Sequence, residues 1–257
     1  MFSPLEGVKD EILIGFILGK LDLSFTSLSF FLIVVYSAVF LLFLFFRSEL
    51  KVIPHPGQLV LESFYRFMLD MIVGRAGPES IVYFPMMFCI FVFVLFGNLC
   101  GIFPYGMTVT AQIGMVFMLG YSSFIGLTYI GLGRYKWRFL KKFVVGGGMA
   151  KVLVALLFVL EIVSYCVRPL SLSVRLAANM IGGHALLHLL AMMFIQFVGK
   201  IFGAVGCWCM SVGVLGVACF VSGVFAVFML EVGVAFLQAY IFSLLLCLYI
   251  GESIRPV

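Results

Sequence analysis

Charge is what this chain has least of. Only 11% of its 257 residues are charged, against about a quarter in ordinary globular domains. With 64% hydrophobic residues and a mean hydropathy of +1.25, it holds more apolar surface than a water-soluble core can bury. A soluble fold is excluded, and a polytopic, all-helical membrane protein is expected. Histidine is scarce as well, with three in the chain. A haem-bearing redox subunit needs axial ligands on opposite sides of an iron; His184 and His188 share one helix face, and His55 sits beside prolines. No fixed-period or inverted repeat is present, which argues against a stand-alone transporter with its site between repeats. Gly146-Gly-Gly148 is followed by Met-Ala-Lys, so a P-loop is missing. The net charge of +5 forms no basic stripe beyond one short loop, so no nucleic-acid partner is expected. Glu6, Lys9, Asp10, Glu11, Lys20 and Asp22 take the place of a basic start and apolar core, so no cleavable signal is expected. The seven cysteines all lie in apolar stretches and read as small hydrophobes. Cys207-Trp-Cys209 has neither zinc-knuckle nor redox-pair spacing.

What is present is a series of apolar runs. A tail over residues 1–23 precedes a first span over 24–46, which Arg47 and Lys51 close. Prolines and a glycine break the chain at Val52–Gly57. Residues 58–73 alternate apolar groups with Glu62, Arg66 and Asp70, the pattern of an amphipathic helix at a membrane surface. Residues 81–132 read as a helical hairpin, and 133–150 as a basic loop carrying Arg134, Lys136, Arg138, Lys141 and Lys142. Residues 151–250 contain two apolar blocks, each longer than the ~20 residues that a span needs. Each is therefore either two spans or one long tilted helix. The positive-inside rule favours five crossings, with the tail outside and the basic loop and Arg255 inside. That topology makes the last two helices a long, strongly tilted hairpin.

Within those blocks a few polar residues stand out. Arg175 lies in an apolar helix that continues to His184. A guanidinium cannot be neutralised, and in hydrocarbon it costs at least ~2.5 kcal/mol. Such a group meets another charge, a water-filled cavity or a transported ion; the alternative, a side chain snorkelling from a helix end, is disfavoured because apolar helix continues past it to His184. Glu161, Arg168 and Arg175 are spaced by seven, and Asn179 follows by four, which places all four on one stripe. His184 falls on the opposite side, with His188 one turn beyond. Pro169 is expected to kink the helix before Arg175. In the last block Glu231 is the lone carboxyl, with Gln238 on the same face and Tyr240 nearby. Intramembrane Glu and His are the groups from which proton relays are made. For His188 and Gln238 simple packing is the plainer reading, and for Glu161 a helix-end charge.

The segment Arg168-Pro-Leu-Ser-Leu-Ser-Val-Arg175-Leu-Ala-Ala-Asn179-Met-Ile-Gly-Gly-His184 resembles the signature of subunit a of the F-type ATP synthases, the stator part of a proton channel. Glu231-Val-Gly-Val-Ala-Phe-Leu-Gln238-Ala-Tyr240 is similar to that family's last-helix motif, and Asn98-Leu-Cys-Gly101-Ile-Phe-Pro104-Tyr105 to its second-span ending. Pro54, Gln58 and Glu62 fit its amphipathic helix, and the matches run in order from about residue 50 to the end. The resemblance implies that Arg175 faces a rotating ring of c subunits. It implies an inlet half-channel lined by Asn179, His184, Glu231, Gln238 and Tyr240, and an exit half-channel lined by Glu161, Arg168 and Ser171. The implied partners are the c ring, the peripheral stalk, other membrane-sector subunits and the lipid bilayer. No cofactor, metal or catalytic residue is implied, and the chain is expected to be non-catalytic on its own. The Gly182-Gly183 pair and Cys100 depart locally from the family pattern. A sodium-coupled variant would differ mainly in the partner ring. The 30 phenylalanines and the motif style suggest the mitochondrial inner membrane, with the bacterial plasma membrane as the alternative.

Overall fold

A chain that crosses hydrocarbon must satisfy its backbone within each segment, so long apolar runs become helices. The computed structural model describes residues 12–15, 17, 18, 21, 22, 24–48, 56–102, 109–135, 151–203 and 207–254. Helix α1 spans Ser27–Ser48, α2 Pro56–Ala76, α3 Phe84–Ile102, α4 Ile113–Tyr135, α5 Lys151–Gly203 and α6 Cys207–Ile254. Short 3-10 segments at Pro78–Tyr83 and Val109–Ala111 precede α3 and α4. The break at Pro54, the Phe103–Tyr105 ending, the glycine run at 146–148 and Arg255 lie outside the described residues. So do all the basic-loop residues except Gly133, Arg134 and Tyr135.

Four segments are long and apolar enough to cross a membrane: 78–102, 113–134, 152–199 and 216–254. The protein is thus an all-helical, multi-pass membrane protein. The apolar stretch described in α1, Ser27–Leu42, is shorter. Each of the two long blocks is one continuous helix, of 53 residues in α5 and 48 in α6. At ~1.5 Å per residue both far exceed a ~30 Å hydrocarbon core, a mismatch that a bilayer accommodates by tilt. They lie antiparallel, since Arg168 meets Glu252, Gly183 meets Glu231, and Phe197 meets Gly216 and Phe220. Along α6, Gly216 accommodates the Phe197 ring, while Gly223 and Gly233 face open space.

One feature departs from the all-helical pattern. Near the N-terminus, β1 (Ile12–Ile14) pairs antiparallel with β4 (Phe25–Thr26), and β2 (Ile17–Leu18) with β3 (Leu21–Asp22). The charges of this segment pointed to a solvated tail. Its Ile, Leu, Phe and Thr content suits extended pairing instead.

Helix α2 starts on Pro56, which suits a first helical position. It ends at Gly77, whose φ of 83° lets its N–H bond Val73 O at 3.0 Å. A β-carbon is disfavoured at that φ. The main core joins α2, α3 and α6 through Met68, Ile72, Met87, Phe91, Phe242 and Leu246. Buried polar side chains cross between helices inside the bundle. Asn98 of α3, 0% exposed, donates from Nδ2 to Ala235 O of α6 at 3.1 Å. Ser173 of α5 donates to Val116 O of α4 at 3.2 Å.

Asn98→Asp keeps the shape but turns the donor into an acceptor set against the Ala235 carbonyl. It should cost about 1–3 kcal/mol. The expected result is a lower thermal midpoint for the purified complex in detergent; an unchanged midpoint would show that the α3–α6 contact does not depend on this bond.

Candidate functional site

The polar residues of α5 and α6 separate into two groups, one toward each end of the bundle. The first surrounds a cavity of about 290 Å³. Its walls include Asn179 and His184 of α5, Glu231 of α6 and the α3 terminus, Gly101 and Ile102. Glu231 is 8% exposed, and its Oε1 has no hydrogen-bond partner among the described residues. It fits because residue 183 is glycine: a Cβ there would lie 3.1 Å from Glu231 Oε1 and 3.3 Å from Cδ. Asn98 holds the next turn of α6 through Ala235, which fixes the rotation of the helix that carries Glu231. Gln238 is buried further along α6 and is not part of the cavity wall. Tyr240 lies away from the cavity as well, its ring 5.6 Å from that of Phe67 on α2.

The second group lies where α2 ends and α4 finishes. Arg168 is 3.8 Å from Glu161 and 3.5 Å from Glu252, and its guanidinium lies 6.0 Å from the Tyr249 ring centroid. Ser171 is exposed and donates to Arg168 O at 3.1 Å. Tyr165 shares a hydrogen bond with Thr128 of α4 at 3.1 Å and packs at a tilt against Phe124, with ring centroids 4.6 Å apart. The end of α2 closes on this group, since Gly251 faces Arg75 O and Ala76. The Glu79–Arg134 pair, at 3.6 Å, ties the start of the α3 segment to the end of α4 nearby. Both Arg168 pairs are about one-third exposed, so each contributes at most about 1 kcal/mol to stability. Their value is in placing charge.

Arg175 stands between the two groups. It is exposed, and among the described residues no carboxylate lies within ion-pair distance of it. It is two turns (~10 Å) from Arg168 and about one turn (~6 Å) from Asn179 along α5. Glu161, Arg168 and Ser171 thus gather at one end, and Asn179, His184 and Glu231 at the other. His188 is half-buried one turn past His184. His55 lies outside the described residues.

Glu252 escaped the sequence reading. It lies two residues past Ile250, where the apolar block ends. The available signal was that helix continuing past Ile250 would carry it to the level of Arg168. The importance of Gly183 was legible only as a departure from a motif.

The ATP synthase A chain family model matches residues 27–251. ATP synthase subunit a of Pelagibacter ubique is 39% identical over 93% of this chain and 91% of its own length. The Parvibaculum lavamentivorans subunit a is 37% identical over 99% and 94%. That of Acanthamoeba castellanii is 36% identical over 98% and 97%.

Gly183→Ala places a methyl group 3.1 Å from Glu231 Oε1, so the carboxyl must shift by a few tenths of an ångström. Proton conduction by the assembled membrane sector should fall severalfold with subunit content unchanged, a cost of the order expected for overpacking, ~1–3 kcal/mol. Parental conduction would show that the carboxyl has room to move.

Proposed function

The chain belongs to the ATP synthase A chain family, and on that premise we propose that it forms two offset aqueous half-channels serving a rotating ring of c subunits. At the family level it is a non-catalytic, multi-pass membrane-sector subunit of a proton-translocating ATP synthase. The single observation that carries the finer reading is the division of polar groups. The Glu231 cavity opens beside the α3 terminus, the Glu161–Arg168–Glu252 cluster lies at the opposite end, and Arg175 lies between them on the exposed surface.

A proton enters through the cavity, where Glu231 and His184 hand it on. It reaches a ring carboxylate that has just passed Arg175. Once neutral, that carboxyl turns through lipid and returns to the far side of the arginine. There it releases its proton toward Glu161 and Glu252. The guanidinium prevents a short circuit: a ring carboxyl beside it is held ionised, while one facing lipid is held protonated. Because the cation is permanent, the barrier does not titrate away. The proton-motive force then biases rotation by ~2.3 kcal/mol per charge per 100 mV. The basic loop lies inside and the N-terminal hairpin outside. The relatives are compatible with either the mitochondrial inner membrane or a bacterial plasma membrane.

Arg175→Ala should abolish ATP-driven proton pumping while hydrolysis by the detached soluble sector persists. Arg175→Lys should also fail, because an ammonium reproduces neither the forked donors nor the fixed charge. Wild-type pumping by Arg175→Lys would refute the need for a guanidinium.

Glu231→Gln should slow proton flow severely and His184→Ala less so, since water can bridge a missing imidazole but cannot replace a titrating carboxyl. If both serve one path, the double variant is no worse than Glu231→Gln alone. Additive losses would separate the two residues.

A further inference from the structure

Ser173 precedes Arg175 by two residues, which at ~100° per residue places it on the opposite side of α5. The contrast in exposure agrees: Arg175 is exposed, and Ser173 is 2% exposed against α4. The Ser173 hydroxyl donates to Val116 O at 3.2 Å. α4 comes this near because residue 120 is glycine. A Cβ at Gly120 would run into Ser173 Oγ, and it would lie 3.6 Å from Pro169 O and 3.7 Å from Ser173 Cβ. Gly120 sits inside a regular helix, so it supplies space rather than an unusual backbone angle. Leu172 and Leu176, buried on the same side of α5, complete the contact. Pro169 gives α5 no N–H at this level, so the helix has one fewer internal bond holding its line just before Arg175.

We propose that Gly120 and Ser173 form the support that sets how far Arg175 projects from the protein surface, making Gly120 a positioning residue for the arginine. The inference rests on the reading of Arg175 given above. A side chain at 120 must either turn Ser173 Oγ off Val116 O or push α5 away from α4, toward whatever faces Arg175. Coulomb interaction varies inversely with distance, and a guanidinium cannot compensate by changing its protonation. A displacement of about an ångström is enough to spoil a reacting geometry. Ser173 is the obstacle that makes residue 120 sensitive. Its hydroxyl is dispensable, because Val116 O lies within α4 and retains its helical partner.

The test uses the assembled complex and measures protons pumped per ATP hydrolysed, normalised to complex content. A merely structural defect would lower the amount of complex and leave that ratio alone. Gly120→Ala should lower the ratio roughly fivefold or more. Ser173→Ala alone should stay within about twofold. The double variant should return to within about twofold of the parent, because removing Oγ leaves a Cβ–Cβ separation of 3.7 Å, an ordinary van der Waals contact. If Gly120→Ala alone fails to assemble, the double variant must restore both assembly and coupling. Ser173→Thr, which thickens the contact from the α5 side, must lower coupling. A fully coupled Gly120→Ala complex, a double variant no better than Gly120→Ala, or a fully coupled Ser173→Thr complex would each overturn the inference. Arg175→Ala serves as the control: if it pumps normally, the functional reading of the arginine fails, whereas a dead Arg175→Ala beside a normal Gly120→Ala sinks only the role of the support.

Discussion

Hydrocarbon offers a helix surface no polar partner, and that constraint shapes everything polar in this protein. Each buried polar side chain must find its partner inside the bundle or face water. Asn98 and Ser173 meet the rule by bonding carbonyls of neighbouring helices. Each bond lies behind a group on which transport would depend, Asn98 one turn past Glu231 and Ser173 two residues before Arg175. Helix packing and charge placement are therefore one problem, solved by the same contacts.

Small residues do the complementary work. Without a hydrophobic drive between helices, close approach is what binds them, and close approach needs short side chains. Gly120 admits α4 to α5, Gly183 admits a carboxyl, Gly216 admits a phenyl ring, and Gly251 admits the end of α2. Each is silent when read alone, because glycine in an apolar helix signals only that something comes near. What comes near is decided by register between helices that stand far apart in sequence.

This explains which parts of the site were legible. Arg175 and Glu231 stood out because a charge in an apolar run has few benign explanations. The number and length of the apolar runs announced the helical, multi-pass fold. The cavity wall supplied by Gly101 and Ile102 was not legible, since neither residue carries polarity. Glu252 was missed because its significance comes from Arg168, eighty-four positions earlier. The short strands at residues 12–26 were hidden by charge, Lys20 and Asp22 among them and Glu6, Asp10 and Glu11 just before, which outweighed a β-forming background. Tyr240 and Gln238 share Glu231's neighbourhood in sequence, yet the helix carries them past the cavity.

The antiparallel α5–α6 pair also has an evolutionary implication. Three contacts pin it, Arg168 with Glu252, Gly183 with Glu231, and Phe197 with Gly216 and Phe220. Between them α5 has one fixed length and α6 another. A single inserted residue in either stretch would turn everything beyond it by ~100° and advance it by ~1.5 Å, which breaks one contact while another holds. The tip of the hairpin, residues 198–215, lies beyond the last of these contacts. Length variation among natural members of the family should therefore collect in the tip, and the two pinned stretches should keep their residue count even where their sequences diverge.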